Sequence, residues 1–315
     1  MKLISIVTPC YNEEKNVELI YQAVKDVMAK VPQYKYEHIF IDNASTDTTV
    51  AILRRLAESD KQLKVIVNNR NFGYIRSPYY GLLQARGDAV ILIVADLQDP
   101  PEMMLEFIKH WEAGDKVVVG VKTKSEENWL IYKLRTMYYR TLNRMTNVEL
   151  VEHFTGFGLY DQSVIVELRK LNESYPYLRG LISELGYTPT KIPFTQPPRK
   201  FGVTKSHLYA LYDLVMLGLT SHTIVPMRLA TVTGFVLAIG CLIVSFIYLI
   251  YKLVFWFNFS LGMAPLVIGM FFLFSVQLAF IGLLGEYVGA VHTHVQRRPL
   301  VVERERINFD ESTKS

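Results

Sequence analysis

Two long stretches of this chain are almost free of charge, and they limit its architecture more than any other feature. "LATVTGFVLAIGCLIVSFIYLIY", Leu229 to Tyr251, contains no acidic or basic residue, and "APLVIGMFFLFSVQLAFIGLLGEYVGAV", Ala264 to Val291, contains only Glu286. An α-helix needs about 20 predominantly apolar residues to cross the hydrocarbon core of a bilayer. Two transmembrane helices are therefore expected, over 229–252 and 264–292, joined by the short aromatic connector "KLVFWFNFSLGM". Arg228 precedes the pair, Arg297 and Arg298 follow it, and Lys252 alone marks the other side. The excess of positive charge places both ends of the hairpin, and with them both termini of the chain, on the cytoplasmic side.

Everything before the hairpin is charged and patterned as a water-soluble domain, expected over 1–205. The 34 basic and 30 acidic residues leave a net charge of +4. That is too mild for a nucleic-acid partner, and no basic stripe interleaved with aromatics is present. Of the two cysteines, Cys10 lies in this domain and Cys241 in an apolar stretch, so no disulfide is expected and a reducing compartment fits. Strand and helix patterns alternate: "LISIVTP", then "EEKNVELIYQAVKDVMAKV", "YEHIFIDN", "STDTTVAILRRLAES" with Ser45 or Thr46 as cap candidates, "LKVIVNN", "SPYYGLLQARG" and "AVILIVAD". Such alternation implies an α/β fold with a mainly parallel sheet covered by helices on both faces. Residues 206–228 are apolar around much of a helical circumference and are expected as an amphipathic helix in the membrane interface. Residues 293–315 are expected as a cytoplasmic tail.

In a parallel α/β sheet, ligands bind beyond the C-terminal ends of the strands. The polar residues gather there: "PCYNEE" ends the first strand, "DNASTD" the second and "ADLQD" the fourth. Neither of the glycine-rich phosphate-binding signatures, G-x-G-x-x-G or G-x-x-x-x-G-K-[ST], occurs. Hard carboxylate oxygens at a strand tip with an amide beside them suit Mg²⁺ or Mn²⁺ bound together with substrate phosphates, which makes Asp96, Gln98 and Asp99 the candidate metal ligands. The other role open to Asp99 is to cap the helix that begins near Pro100 or Pro101.

The ordered set "IVTPCYNEEKNV", "IDNASTDTT", "NRNFGY", "GDAVILIVADLQDPPE" and "RKFGVTK", followed by the two apolar stretches, resembles glycosyltransferase family 2 with its GT-A fold, and within it the polyprenyl-phosphate glycosyltransferases. The resemblance implies that Pro9, Tyr11, Asn12, Glu13 and Asp42 line the nucleotide-sugar site. It further implies that Asp96 and Gln98 hold the metal and diphosphate, and that Arg199 and Lys205 contact donor or acceptor phosphate. Asp96, Arg199 and Lys205 are the residues on which catalysis would depend. Arg179, among the aromatics of "YPYLRG", is either a further acceptor contact or part of a structural turn. Two departures stand out. Val94 replaces the first carboxylate of the Asp-Ala-Asp found in most relatives. Gly156 and Gly158 stand where relatives often carry an acidic residue and an arginine, leaving Glu152, His153 and Asp161 as the nearby substitutes for a base.

The expected activity is inverting transfer of a hexose or N-acetylhexosamine from a nucleoside diphosphate sugar, a UDP-sugar before others, to polyprenyl (undecaprenyl) phosphate. The product would be a lipid-linked sugar for cell-envelope glycans. A phosphate acceptor, with a second pKa of about 6, is already largely a dianion at neutral pH and needs little help from a base. A hydroxyl acceptor would need far more. The rivals are a transferase acting on a glycan hydroxyl and a non-catalytic sugar-nucleotide-binding membrane subunit. The protein is expected in the inner or plasma membrane, as a homo-oligomer associating through its helices.

Overall fold

The computed structural model describes residues 1–124, 154–171, 173, 175–197, 216, 225–254, 263–296 and 298–309. The chain divides into two compact units, Met1–Ala210 together with Gln296–Ser315, and Leu211–Val295.

The first unit is built on one sheet. Its strands are β1 (Leu3–Cys10), β2 (Lys35–Asp42), β3 (Leu63–Asn68), β4 (Ala89–Leu92), β5 (Val117–Lys124), β6 (Phe154–Asp161), β7 (Thr190–Thr195) and β8 (Glu303–Ile307), in the order β7-β5-β6-β4-β1-β2-β3-β8. The four strands β3-β2-β1-β4 run parallel, β6 and β8 run antiparallel to their neighbours, and β5 and β7 pair in parallel. The sheet is thus mainly parallel, as the alternating pattern implied. The inner strands are apolar nearly throughout because both faces are covered: every residue of β4 is buried.

One face carries α1 (Val17–Met28), α2 (Thr49–Ser59) and α4 (Met103–Glu112), packed over Ile4, Ile6, Phe40, Val65, Ile91 and Phe157. The other carries α3 (Gly73–Gln84), α5 (Gln162–Leu171) and α6 (Leu178–Glu184), over Val7, Ile39, Ile41, Val90, Val119 and Tyr160. The apolar stripe of α1, with Val17, Ile20, Tyr21, Val24, Val27 and Met28 all buried, recurs at helical spacing and supplies its driving force.

Three sequence expectations need correction. The N-cap of α2 is Thr48, not Ser45 or Thr46, whose hydroxyls are drawn to Asp42 and Asn12 instead. Asp99 does not cap α4, which starts from Glu102 without a side-chain cap. The residues expected as a tail return to the sheet as β8. Asn69 donates its N–H to the Val302 carbonyl at 2.8 Å, Arg54 pairs with Glu305, and Asn308 donates to the carbonyls of Ala57, Asp60 and Leu63 at 2.7, 3.2 and 2.8 Å. These bonds outweigh the chain entropy that would leave the segment loose.

The second unit contains α7 (Val225–Val254) and α8 (Met263–Val295). Apolar side chains are exposed along both, among them Phe235 at 66%, Phe271 at 70% and Leu278 at 68%. Among the described residues, one stretch, Gly269–Thr293, is long and apolar enough to cross a membrane, and Val225–Cys241 is a shorter apolar helix. The expected interface helix lies outside the described residues but for Met216 and the start of α7, and the connector between the helices lies outside them from 255 to 262.

Candidate functional site

The C-terminal ends of β1, β2 and β4 open onto a cleft of about 420 Å³, lined by Pro9, Cys10, Tyr11, Asn12, Glu13, Asn43, Asn71, Gly73, Tyr74, Ser77, Pro78, Val94, Ala95 and Asp96. Four strand-end segments build it, at β1, β2, β3 and β4, and hydrogen bonds tie the first two together. The Asn12 N–H donates to Ser45 Oγ at 2.8 Å, and Asn12 Oδ1 accepts the Thr46 N–H at 2.8 Å. The Glu13 N–H donates to Thr49 Oγ1 at 2.9 Å, and Glu14 accepts the Thr48 hydroxyl at 2.7 Å.

Backbone strain concentrates at the same strand tips. Asn12, Ala44 and Leu97 have φ of 54°, 62° and 59°. Asparagine tolerates the left-handed region, but alanine and leucine enter it at a cost of order 1 kcal/mol or more. Leu97 directly follows Asp96 and turns the chain so that the Gln98 N–H reaches Asp96 Oδ1 at 3.1 Å. Strained residues of this kind cluster at binding sites because the surrounding contacts hold them there.

Asp96 lines the cleft and is 9% exposed. Asp99 is buried, 3% exposed. Burial pushes its carboxyl up to about 7; Lys122 opposes that rise and the charge of Asp96 adds to it. Gln98 meets Asp96 through its backbone, and neither its side chain nor Asp99 lines the cleft. Among the described residues no group of three His, Cys, Asp or Glu side chains gathers into a cation cage. One carboxylate at the cleft edge still fits a hard divalent ion, which takes one or two carboxylates and completes its shell with substrate phosphates and water.

Of the other expected site residues, Pro9, Tyr11, Asn12 and Glu13 line the cleft. Asp42 does not: it is fully buried, accepts the Ser45 N–H at 2.9 Å and the Ser45 hydroxyl, and burial raises its carboxyl. The next residue, Asn43, faces the cleft instead. Arg179 sits in α6, where its charge opposes the upward push of burial on the Tyr160 phenol. Arg199 and Lys205, and the candidate bases Glu152 and His153, lie outside the described residues. The third substitute, Asp161, is at the wrong end: it pairs with Ala89 at the start of β4, and Trp111, Lys116 and Ser163 occupy its oxygens.

The two glycines in β6 are there for backbone reasons. Gly156 has φ +105°, and a Cβ on Gly158 would lie 2.5 Å from the Val118 carbonyl oxygen. A side chain at Gly156 would be strained by that φ, and one at Gly158 would clash with the neighbouring strand. Cys10 lines the cleft, and burial, with the charge of Asp42 beside it, raises its thiol well above the ordinary range, which disfavours the thiolate form.

Sequence reasoning missed the opposite wall. Asn43 Nδ2 donates to Asn71 Oδ1 at 2.9 Å and to the Gly73 carbonyl at 3.1 Å, while Asn43 Oδ1 accepts the Phe72 N–H at 2.9 Å and Asn68 Nδ2 at 3.1 Å. Asn68 also donates to Ser77 Oγ at 3.1 Å. The clue was the run of amides in "NNRNF", which starts at the last residue of β3, a density of side-chain donors and acceptors at one strand end.

Residues 5–169 match the family described as Glycosyl transferase family 2. An uncharacterized glycosyltransferase of Bacillus subtilis (strain 168), YkcC, is 34% identical over 95% of this chain and 92% of its own length. A bactoprenol glucosyl transferase of Shigella phage SfII is 33% identical over 94% of this chain and 96% of its own. Among solved structures, glucosyl-3-phosphoglycerate synthase from Mycobacterium tuberculosis, in complex with Mn²⁺ and UDP-glucose, is 17% identical with a TM-score of 0.49, covering 70% of this chain and 77% of that one.

Proposed function

The chain belongs to glycosyl transferase family 2, and we propose that within it the protein is a membrane-bound inverting transferase that moves a hexose or N-acetylhexosamine from a nucleoside diphosphate sugar to a polyprenyl phosphate. The observation that carries this reading is the strand-end cleft with Asp96 on its edge. Its volume of about 420 Å³ is within the range of small-molecule sites. Likeness to a bactoprenol glucosyl transferase across both units of the chain supports the lipid acceptor.

In this function the end of β1 and the loop after it, with Pro9, Tyr11, Asn12 and Glu13, would hold the nucleoside. Asp96 would hold Mg²⁺ or Mn²⁺ with the donor diphosphate, and Gln98 and Asp99 would support that carboxylate. The bound ion would supply positive charge to the departing diphosphate. Arg199, Lys205 and Arg179 would contact the acceptor phosphate. With Gly156 and Gly158 in place and Asp161 at its far end, β6 offers no carboxylate at its cleft end to act as a base, which favours an acceptor that is already an anion. The acceptor's approach in line with the anomeric carbon would then supply much of the rate.

The exposed apolar length of α7 and α8 supports a membrane location. The chain leaves the first unit for α7 and returns to it after α8, which supports an even number of crossings, with the catalytic unit on the cytoplasmic side. The test is transfer in detergent with purified protein, undecaprenyl phosphate, Mg²⁺ or Mn²⁺ and a panel of UDP- and GDP-sugars, the lipid product being read by mass spectrometry. A glycosylated lipid phosphate that disappears with EDTA is the expected result. Folded protein that yields none from any donor would overturn the proposal.

A further inference from the structure

Arg76 lies in the first turn of α3, directly before Ser77 and Pro78, which line the cleft. Its guanidinium lies over the ring of Tyr175, 5.2 Å from the centroid. Its Nε is buried with no hydrogen-bond partner, and among the described residues no carboxylate pairs with it. Other arginines of this unit are engaged: Arg55 with Glu18, Arg306 with Glu303, and Arg169 with the carbonyls of Leu83 and Ala85.

A guanidinium stays charged at every accessible pH, and all its polar hydrogens are donors. Burying one of those N–H groups without an acceptor is unfavourable, more so on a cation. The cost is removed when an anion arrives to accept the bond. Topology brings the group to the right side of the sheet. α3 begins just beyond the C-terminal end of β3. α5 starts at the far end of β6, beside the beginning of β4, and runs back toward the cleft, so Tyr175 emerges on the cleft side as well. The aromatic face holds the guanidinium plane by cation–π attraction without using its donors.

We propose that Arg76 binds a phosphate oxyanion of a substrate at the edge of the cleft, with Tyr175 as the platform that orients it. The identity of that substrate rests on the transferase reading above. The oxyanion belongs either to the lipid acceptor or to the donor diphosphate, and the two sources are separable by experiment.

The full chain is purified in detergent as wild type, Arg76→Gln and Arg76→Lys, and each is confirmed folded by its thermal midpoint. UDP binding is followed by calorimetry, and farnesyl phosphate serves as the acceptor probe in binding and in turnover. Arg76→Gln is expected to weaken one of these ligands about tenfold or more, with partial recovery in Arg76→Lys, which keeps the charge but not the planar fork. A higher KM for farnesyl phosphate at unchanged donor KM and kcat assigns the oxyanion to the acceptor. A weaker UDP Kd assigns it to the donor. Unchanged affinity for both ligands in folded Arg76→Gln overturns the proposal; should that variant not fold, wild-type affinities in Arg76→Lys do the same. If wild-type protein transfers no sugar to any lipid phosphate, the transferase reading fails, while the two binding measurements still decide the role of Arg76.

Discussion

Asn68 Nδ2 donates to Asn43 Oδ1 at 3.1 Å, and through this bond a fully buried side chain at the end of β3 braces a wall of the cleft it does not itself line. Asn68→Ala removes that bond and the one to Ser77 Oγ and leaves both acceptors short of a donor. The expected loss is about 1–3 kcal/mol of stability. Donor KM should rise more than kcat falls, because the change moves the wall and not the reacting groups. Denaturant unfolding and steady-state kinetics on the same preparation check both.

Asp96→Asn keeps the volume and removes the charge at the cleft edge. Turnover is expected to drop by about 10²-fold or more, with the thermal midpoint little changed. Near-normal activity would remove Asp96 from the metal and diphosphate role.

Gly158→Ala places a Cβ 2.5 Å from the Val118 carbonyl oxygen, between two paired strands that cannot easily part. A destabilisation of about 1–3 kcal/mol is expected in urea unfolding.

His38 is buried in the middle of β2, its Nε2 2.9 Å from Thr8 Oγ1 and its Nδ1 without a partner. Burial lowers its pKa to about 3. An unfolded chain would protonate this residue near pH 6.5, and the folded one cannot until about pH 3. The contribution of neutral His38 is therefore complete above about pH 6.5 and is lost as pH falls toward 3, at no more than about 1.4 kcal/mol per pH unit. His38→Gln, which cannot titrate, should flatten that part of the stability profile between pH 4 and 7, as read by urea midpoints.

Asn308 has φ 59° and gives its side-chain amide to three carbonyls, those of Ala57, Asp60 and Leu63. Asn308→Ala forfeits those bonds and replaces a residue that tolerates the left-handed region with one that adopts it less readily, so a loss of about 2 kcal/mol or more is expected, measured on the purified chain by thermal unfolding.

The parallel core of the sheet and the edge that bears the site were legible because period and polarity agree there: apolar runs such as Ala89 to Ile93 end abruptly in Asp96. The residues just after β1 follow the same logic, and Tyr11, Asn12 and Glu13 line the cleft. Asp42 was misleading, since a carboxylate at a strand tip reads as ligand-facing whether it points to the cleft or inward to Ser45. The Asn43–Asn68 wall was hidden because amides carry no charge signal and their partners are distant in sequence. β8 was hidden for another reason. "ERERI" is highly charged, and an antiparallel edge strand with a solvated face needs few apolar residues to pair.

β8 also gives the protein an order of assembly. β3 is complete within the first third of synthesis, yet its partner is translated only after both apolar helices. Until then β3 presents a row of unpaired N–H and C=O groups at the margin of the sheet, an invitation to pairing with other chains. A ribosome must therefore deliver the helices before the catalytic unit can seal its last edge. A nascent chain halted before that point keeps an open margin, so translation arrest before β8 should yield material prone to aggregation or proteolysis.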